Sequence, residues 1–277
     1  MIHYLEREDH SQMNKKDSKN NMILAIDIGN STIVMGCVDN TGVLFEEQVA
    51  TQYEKTKIEH AMVFKSMLEL NGIDPGEIKG AIISSVVPPL TNVIRSAAKM
   101  IIGVEPLTVG PGVKTGLPIH MDDPRTVGAD LIVAAVATEH YYGKPAVIID
   151  VGTATTITAI DEKGAYIGGV IIPGVAISQD ILVARTAQLP HVSLDAPPHV
   201  VGKNTVDSMR SGAIYGSASM IDGMVKRFKA ELKLPDDALT VATGGLAGVI
   251  IPHCESEIIV DKTLLMKGLK IIYDRNI

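Results

Sequence analysis

Residues 22–39 have the sequence MILAIDIGNSTIVMGCVD, and this stretch decides how the chain folds. The apolar residues up to Ile28 predict a buried strand, Gly29-Asn30-Ser31 predicts a tight turn, and the residues that follow predict a second strand. The glycine permits both the turn and the close approach of a ligand to the backbone. The stretch therefore predicts a β-hairpin that carries Asp27 beside its turn.

The same arrangement returns at residues 146–160, which have the sequence AVIIDVGTATTITAI. Asp150 precedes Gly152 with the spacing that separates Asp27 from Gly29, and a strand rich in Thr and Ile follows. Two copies of one device predict two similar domains, each of which opens with its own loop. We place their boundary near residue 143, which gives an N-terminal domain of residues 22–143 and a C-terminal domain of residues 144–277.

The chain between and after the hairpins predicts alternating helices and strands. Apolar spacing and end signals predict helices over residues 54–70, 88–102 and 128–141, and a buried strand over residues 78–87. A loop rich in Gly and Pro spans residues 110–123. Apolar residues make up 46% of the chain and aromatic residues only 4%, so Val, Ile, Leu, Ala and Met must fill the core. The prediction is an α/β protein with a cleft between its domains.

Charge and composition exclude several classes of function. The net charge of −7 argues against a nucleic-acid partner, which would require basic patches. No uninterrupted apolar run of about 18 residues is present, so we expect no membrane span. Residues 1–21 are polar and lack the apolar segment of a signal peptide, so we expect a disordered tail. Cys37 and Cys254 are far apart in apolar contexts, which favours free thiols and a cytoplasmic location.

The common catalytic motifs are missing from the sequence. Residues 110–116, GPGVKTG, only mimic a P-loop, because Lys and Thr precede the last glycine. We find no G-x-G-x-x-G that opens a helix, no H-E-x-x-H, no pair of C-x-x-C motifs and no G-x-S-x-G. The sequence therefore contains no motif that supports a dehydrogenase, a zinc site or a hydrolase.

Four loops rich in Gly and hydroxyl residues remain, at residues 27–31, 150–156, 168–174 and 243–245. Backbone N–H groups and hydroxyls in such turns form concave sites for anions. An aspartate at the start of a loop can hold a hard cation, directly or through water. One such turn by itself is most often only a turn. Two of them in one chain predict that facing loops grip a polyphosphate and its metal.

These residues resemble a known family. Residues 27–31 are similar to the first phosphate loop of the superfamily of acetate and sugar kinases, Hsp70 and actin. The finer pattern resembles type III pantothenate kinases, in Gly128-Ala129-Asp130 and in the second phosphate loop at residues 150–156. Further blocks match in the same order, at residues 168–174, 186–190, 202–205 and 243–245. The resemblance runs from Met22 to the C-terminus and implies two actin-like, ribonuclease H-like domains.

The resemblance implies ATP-dependent phosphorylation of pantothenate to 4′-phosphopantothenate, the first step of coenzyme A biosynthesis. Its cofactors would be Mg-ATP and a monovalent cation, potassium or ammonium. Asp150 would hold the monovalent cation, and Asp27 would hold magnesium, directly or through water. The implied ATP-binding residues are Asp27, Ile28, Gly29, Asn30, Ser31, Thr32, Ile33, Val34 and Thr153.

The resemblance also implies an acceptor site and a general base. Asp130 would be the base, although a carboxylate near a helix start is also a common cap. Thr205 would contact pantothenate in a site completed by a homodimer. The implied substrate-binding residues are Gly128, Ala129, Asp130, Leu131, Thr205 and Met121.

Two positions depart from the family pattern. Leu131 stands where the family often has Arg, and Met121 stands where it often has Tyr. Arg125 is a nearby alternative partner for a substrate carboxylate, and a plain surface role for it is equally open. The departures keep two alternatives open for the protein: a kinase or phosphatase that acts on another small acceptor, and a catalytically weak nucleotide-binding regulator.

Overall fold

The computed structural model describes residues 21–235 and 237–277. The predicted tail of residues 1–21 lies outside this part of the chain, except for its last residue. The first half of the described chain builds a five-stranded sheet with the strand order β3-β2-β1-β4-β5. Its strands are β1 (Ile23–Ile28), β2 (Thr32–Asp39), β3 (Gly42–Ala50), β4 (Gly80–Ser85) and β5 (Leu107–Thr108).

The second half builds another five-stranded sheet with the order β10-β9-β6-β7-β8. Its strands are β6 (Ala146–Val151), β7 (Ala154–Ile160), β8 (Tyr166–Pro173), β9 (Leu239–Thr243) and β10 (Ile259–Val260). In both sheets three antiparallel strands come first, and two further strands then join parallel to the opening strand. The predicted duplication and the predicted α/β fold are confirmed.

Helices cover both sheets. They are α1 (Lys57–Leu70), α2 (Pro88–Ile102), α3 (Ala129–Tyr141), α4 (Val175–Ala184), α5 (Thr205–Glu231), α6 (Ala247–Ile250) and α7 (Leu264–Asp274). Single turns of 3₁₀ helix form at Pro75–Glu77, Pro124–Thr126 and Ile251–His253. The predicted helices over residues 54–70, 88–102 and 128–141 correspond to α1, α2 and α3. The predicted strand over residues 78–87 corresponds to the shorter β4.

Alternation along β1 explains how the first sheet packs on both faces. Leu24 and Ile26 point to the outer face, where they pack against α1 and α2 in one buried cluster. Ile23 and Ala25 point to the other face and join a second cluster. All four side chains are fully buried. A strand with both faces covered needs a continuous apolar sequence, which is what this strand has.

Helices α3 and α7 lie between the two sheets. Their buried residues share one cluster with Ile82 of the first sheet and Ile148 of the second. Gly268 lets α7 approach α3 closely, because a Cβ at this position would collide with the backbone carbonyl of Val133. Helices α5 and α6 cover the outer face of the second sheet. The layers therefore alternate helix, sheet, helix, sheet, helix, and the division at residue 143 stays a prediction.

Within the described residues, no helix is both long and apolar enough to cross a membrane.

Candidate active site

The two hairpins end in turns of similar construction. In the first, Ile28 pairs with Ile33, and the Gly29 amide donates to the Thr32 carbonyl over 2.9 Å. In the second, Val151 pairs with Thr155, and the amide that follows Val151 donates to the Ala154 carbonyl over 3.0 Å. Each turn leaves an aspartate one residue before the last strand pair.

The two turns meet at their tips. The Thr153 hydroxyl of the second turn donates to the Ser31 hydroxyl of the first over 2.8 Å. Thr51 braces the first turn from behind, since its hydroxyl donates to the Gly29 carbonyl and its amide donates to the Ser31 carbonyl. The loops predicted to grip a polyphosphate therefore face each other across a cleft between the sheets.

Asp27 is the most deeply buried acidic group of this cleft, with 8% of its surface exposed. Burial, together with the negative charges of Asp130 and Asp150, raises its pKa to about 7. Its Oδ1 atom is buried without a hydrogen-bond partner among the described residues. A buried carboxylate oxygen that lacks a donor is a strong candidate to bind a cation or a water molecule held by one.

Asp150 lies at the end of β6, directly beside Gly244. Burial raises the pKa of Asp150 to about 7, and the charge of Asp130 contributes to the increase. Gly244 has a φ of +97°, and a Cβ on this residue would collide with the Asp150 carboxylate and the Val151 backbone. The loop of residues 243–245 therefore requires glycine for its backbone conformation and for the room that it leaves to Asp150.

Asp130 lies in the first turn of α3, whose N-cap is Gly128. Its Oδ1 atom accepts a hydrogen bond from the Leu131 amide at 2.8 Å. Burial raises the pKa of Asp130, and backbone N–H groups offset part of the increase. Gly128 is required here as well, because a Cβ would collide with the Asp130 carboxylate. Asp130 therefore binds first-turn amides as a helix-start carboxylate does, and its role as a general base stays a prediction.

The three carboxylates repel one another electrostatically, which indicates that they belong to one site. The charge of Asp130 raises the pKa of both Asp27 and Asp150, and that of Asp150 raises the pKa of Asp27. The described residues contain no ready-made group of three or more His, Cys, Asp or Glu side chains for a metal ion. Mg²⁺ at nucleotide sites takes one or two carboxylates and completes its shell with phosphates and water. The residues present fit a cation of that kind.

Besides Asp27 and Gly29, the residues predicted to bind ATP divide into two groups. Asn30, Ser31, Thr32 and Thr153 are exposed at the turns, where hydroxyls and amides are free to face a ligand. Ile28 and Ile33 are fully buried in the outer core of the first sheet, and Val34 packs against the core between the sheets. These three apolar residues can face a nucleotide only through their backbone.

The two residues that depart from the family pattern lie on the same apolar surface. Leu131 and Met121 are partly buried against the core between the sheets. Met121 also packs against Gly168, which has a φ of +113° and lies near the start of β8. Arg125 makes a two-pronged ion pair with Asp123, at 2.9 and 3.0 Å, and its side chain is 85% exposed. This ion pair uses the guanidinium of Arg125, which the sequence offered as an alternative partner for a substrate carboxylate.

Thr205 lies apart from the three aspartates. It begins α5, where the Asn204 side chain caps the helix by accepting from the Asp207 amide at 2.8 Å. It lines a mostly apolar cavity of about 860 Å³ between α4 and α5. None of the three aspartates lines this cavity. The structure therefore does not bring Thr205 together with Asp130 within one chain.

Two residues near the aspartates carry no sequence signal. Glu46 on β3 has a pKa raised to about 7 by burial and by Asp261, and its charge also acts on Asp27. Tyr166 is 3% exposed, and burial together with the charge of Asp130 raises its pKa to about 12. A glutamate in a strand and a tyrosine before a Gly-Gly pair are ordinary in sequence, so only the packing reveals them.

Comparison with known proteins extends these observations. The pattern of the type III pantothenate kinase family matches residues 23–227. The type III pantothenate kinase of Moorella thermoacetica is 45% identical over 255 residues, which are 92% of this chain and 100% of that protein. The type III pantothenate kinase of Shouchella clausii is 47% identical over 256 residues, again 92% of this chain and 100% of that protein.

A solved structure adds support for the fold. A Campylobacter jejuni protein assigned to the Baf family of transcriptional activators superposes with a TM-score of 0.57 at 21% identity, over 92% of this chain and 98% of that one. At this identity the likeness concerns the fold alone, which is the predicted actin-like arrangement of two similar domains. The two relatives reach further, because they align over 92% of this chain at 45% and 47% identity, and the family match covers residues 23–227. This chain belongs to the type III pantothenate kinase family.

Proposed function

We propose that the protein transfers the γ-phosphoryl group of ATP to the primary hydroxyl of pantothenate and so catalyses the first step of coenzyme A biosynthesis. The observation that carries this proposal is the convergence of Asp27, Asp130 and Asp150 at a cleft where Thr153 touches Ser31. Family membership supplies the identity of the acceptor. The charged groups that act on Asp27 and Asp150 are all acidic, so no positive side chain among them balances the carboxylates. Such a site suits a substrate that binds together with metal ions.

The exposed turn residues Asn30, Ser31, Thr32 and Thr153 bind the phosphates in this proposal, through hydroxyls and backbone N–H groups. Asp27 holds Mg²⁺, directly or through water, and Asp150 holds a monovalent cation, potassium or ammonium. When bound, these cations neutralise charge on the phosphates. Phosphoryl transfer needs little covalent help from a protein, so position and charge account for most of the acceleration.

Asp130 is the proposed general base. Burial raises its pKa, which makes the carboxylate a stronger proton acceptor than a solvent-exposed aspartate. Gly128 and Ala129 leave room beside it for the acceptor hydroxyl, and Leu131 lines the same side. The proton moves from the pantothenate hydroxyl to an Asp130 oxygen as the new phosphorus–oxygen bond forms.

The active unit is proposed to be a homodimer in the cytoplasm. Thr205, which the resemblance assigns to pantothenate, lies on a separate cavity of its own chain, so a second subunit can supply it. Asp130→Asn and Thr205→Ala subunits provide a direct test, because a mixed dimer would contain one site with both native residues. Activity that returns on mixing supports the shared site. Two inactive variants that stay inactive after subunit exchange refute it.

The decisive experiment is a coupled assay of ADP release with pantothenate and a panel of other small hydroxy acceptors. We expect turnover to require pantothenate, Mg²⁺ and ATP together, with Asp130→Asn as the inactive control. One observation favours a second function. Leu131 and Met121 are apolar residues at positions where the family often has Arg and Tyr. Turnover with another acceptor alone would favour that alternative, and nucleotide binding without turnover would favour the regulator.

A further inference from the structure

The loop of residues 110–123 leads from β5 to the acceptor side of the proposed site. Its first half has no partner strand among the described residues, and Gly112 and Gly116 both have positive φ, at +90° and +73°. Backbone groups in such a segment need partners from elsewhere in the protein to hold one conformation. At Lys114 and Thr115 those partners come from the last residues of the chain.

Asn276 makes a reciprocal pair of hydrogen bonds with the backbone of Lys114. Its Oδ1 accepts from the Lys114 amide at 3.0 Å, and its Nδ2 donates to the Lys114 carbonyl at 3.0 Å. One side chain thus replaces a strand partner. The same Nδ2 donates to the Ile272 carbonyl at 2.7 Å, which ties the loop to the end of α7. Arg275 adds a hydrogen bond from its guanidinium to the Thr115 carbonyl.

The second half of the loop is also held in place, and it connects the anchored residues to the proposed site. Leu117 is buried in the core between the sheets. The Tyr166 amide donates to the Pro118 carbonyl at 2.8 Å, and the His120 amide donates to the Tyr166 carbonyl at the same distance. The next residue is Met121, which packs against Gly168. The chain from Lys114 to Met121 is therefore held at both ends and in the middle.

The helix that carries the clamp also supports the proposed base. Gly268 of α7 packs against Val133 of α3, one turn beyond Asp130. We propose that Arg275 and Asn276, the C-terminal clamp, are positioning residues for the acceptor: they set the 110–123 loop against the helix that carries Asp130. Within the described residues, the side-chain hydrogen bonds of the clamp go to Lys114, Thr115 and Ile272 and not to the phosphate loops. This inference rests on the proposed function for the identity of the acceptor.

The test compares Asn276→Ala with Asn71→Ala. Asn71 also ends a helix with its Nδ2 on the carbonyl four residues earlier, at 2.9 Å, but it lies on α1 and makes no contact with the loop. Both variants lose one helix-end hydrogen bond, and only Asn276→Ala frees the loop. We expect the KM for pantothenate to rise about tenfold in Asn276→Ala, which is the effect of losing one or two modest hydrogen bonds. The KM for ATP and kcat should stay within about twofold in both variants.

Arg275→Ala is a second, milder variant, and we expect a rise of about threefold in the same KM. Equal changes in both KM values, or a loss confined to kcat, would overturn the positioning role. Hydrogen exchange at the Lys114 amide gives a readout that needs no turnover: it should be faster in Asn276→Ala and unchanged in Asn71→Ala. If the wild type releases no ADP with pantothenate, the proposed function fails, and unchanged exchange at Lys114 would overturn the clamp on its own.

Discussion

The two hairpins share their antiparallel strand order and their Asp-x-Gly turn, yet they hold their aspartates differently. Asp27 is buried beneath its turn, with one oxygen that has no partner and with three other acidic groups acting on it. Asp150 is half-buried, feels the charge of Asp130, and lies against the backbone of Gly244. The two hairpins therefore differ, because the Asp27 carboxylate is enclosed and the Asp150 carboxylate lies against the loop of residues 243–245. The proposal that Asp27 holds Mg²⁺ and Asp150 holds a monovalent cation rests on this difference.

The largest expected effect comes from Asp130, which acts on both hairpins. Asp130→Asn retains an oxygen to accept the Leu131 amide, but it cannot take a proton. We expect kcat to fall by at least about a hundredfold, within the range for loss of a general base. The melting temperature and ATP affinity should change little. Single-turnover ADP release and thermal unfolding check this, and a variant that keeps most of its turnover would leave Asp130 with the role of a helix cap.

The next effect separates the two hairpins. Asp150→Asn and Asp27→Asn should each slow turnover about tenfold or more, since each loses a charge-assisted contact. We expect potassium to stimulate turnover when it replaces a bulky organic cation, and only Asp150→Asn should abolish that stimulation. Asp27→Asn should keep that stimulation and require more Mg²⁺. Steady-state rates in the two buffers, with Mg²⁺ titrated in each, measure this. The same response in both variants would show that the hairpins do not differ in the cation they hold.

Gly244 gives a structural contrast with the first hairpin, which has no left-handed glycine behind its aspartate. Gly244→Ala forces a side chain into a φ of +97° and against Asp150, so we expect a loss of about 1–3 kcal/mol in the free energy of unfolding. Gly245→Ala is the matched control, because its Cβ would meet nothing and its φ is not positive. The control should stay within about 0.5 kcal/mol of the wild type. Urea unfolding of both variants decides the matter, and equal losses would contradict it.

The last expected effect is a pH dependence of stability. The pKa values of Asp27 and Asp150 are about 7 in the folded protein and about 4 in an unfolded chain. At these two groups the folded state therefore binds more protons between these values, and their contribution to the free energy of unfolding falls as pH rises from about 4 through 7. Asp27→Asn should show a shallower fall, measured by urea unfolding without metal or nucleotide. Glu47→Gln, which alters an exposed strand carboxylate, should follow the wild type, and a wild-type stability that rises over this range would contradict the assignment.

The local pattern of the chain determined most of the fold. Continuous apolar runs ending in Asp-x-Gly predicted both hairpins, and their repetition predicted two similar sheets, because strand burial and turn chemistry depend on neighbouring residues. Helix α1 began three residues later than predicted, at Lys57, since Thr56 and Glu59 form a capping box. The loop pattern also singled out Asp27 and Asp150, and the family resemblance added Asp130; the structure places all three where their charges interact.

What only the tertiary structure decided concerns residues far apart in the chain. Burial and distance determine the raised pKa values, including those of Glu46 and Tyr166. They also determine the contact between Thr153 and Ser31 and the ion pair of Arg125 with Asp123. The link from Asn276 to Lys114 depends on them as well, since it joins residues 162 positions apart. An asparagine near a C-terminus has no distinctive pattern, and its partner is a backbone group that any residue carries. Electrostatic coupling and long-range hydrogen bonds arise from the packing of layers, which no local periodicity contains.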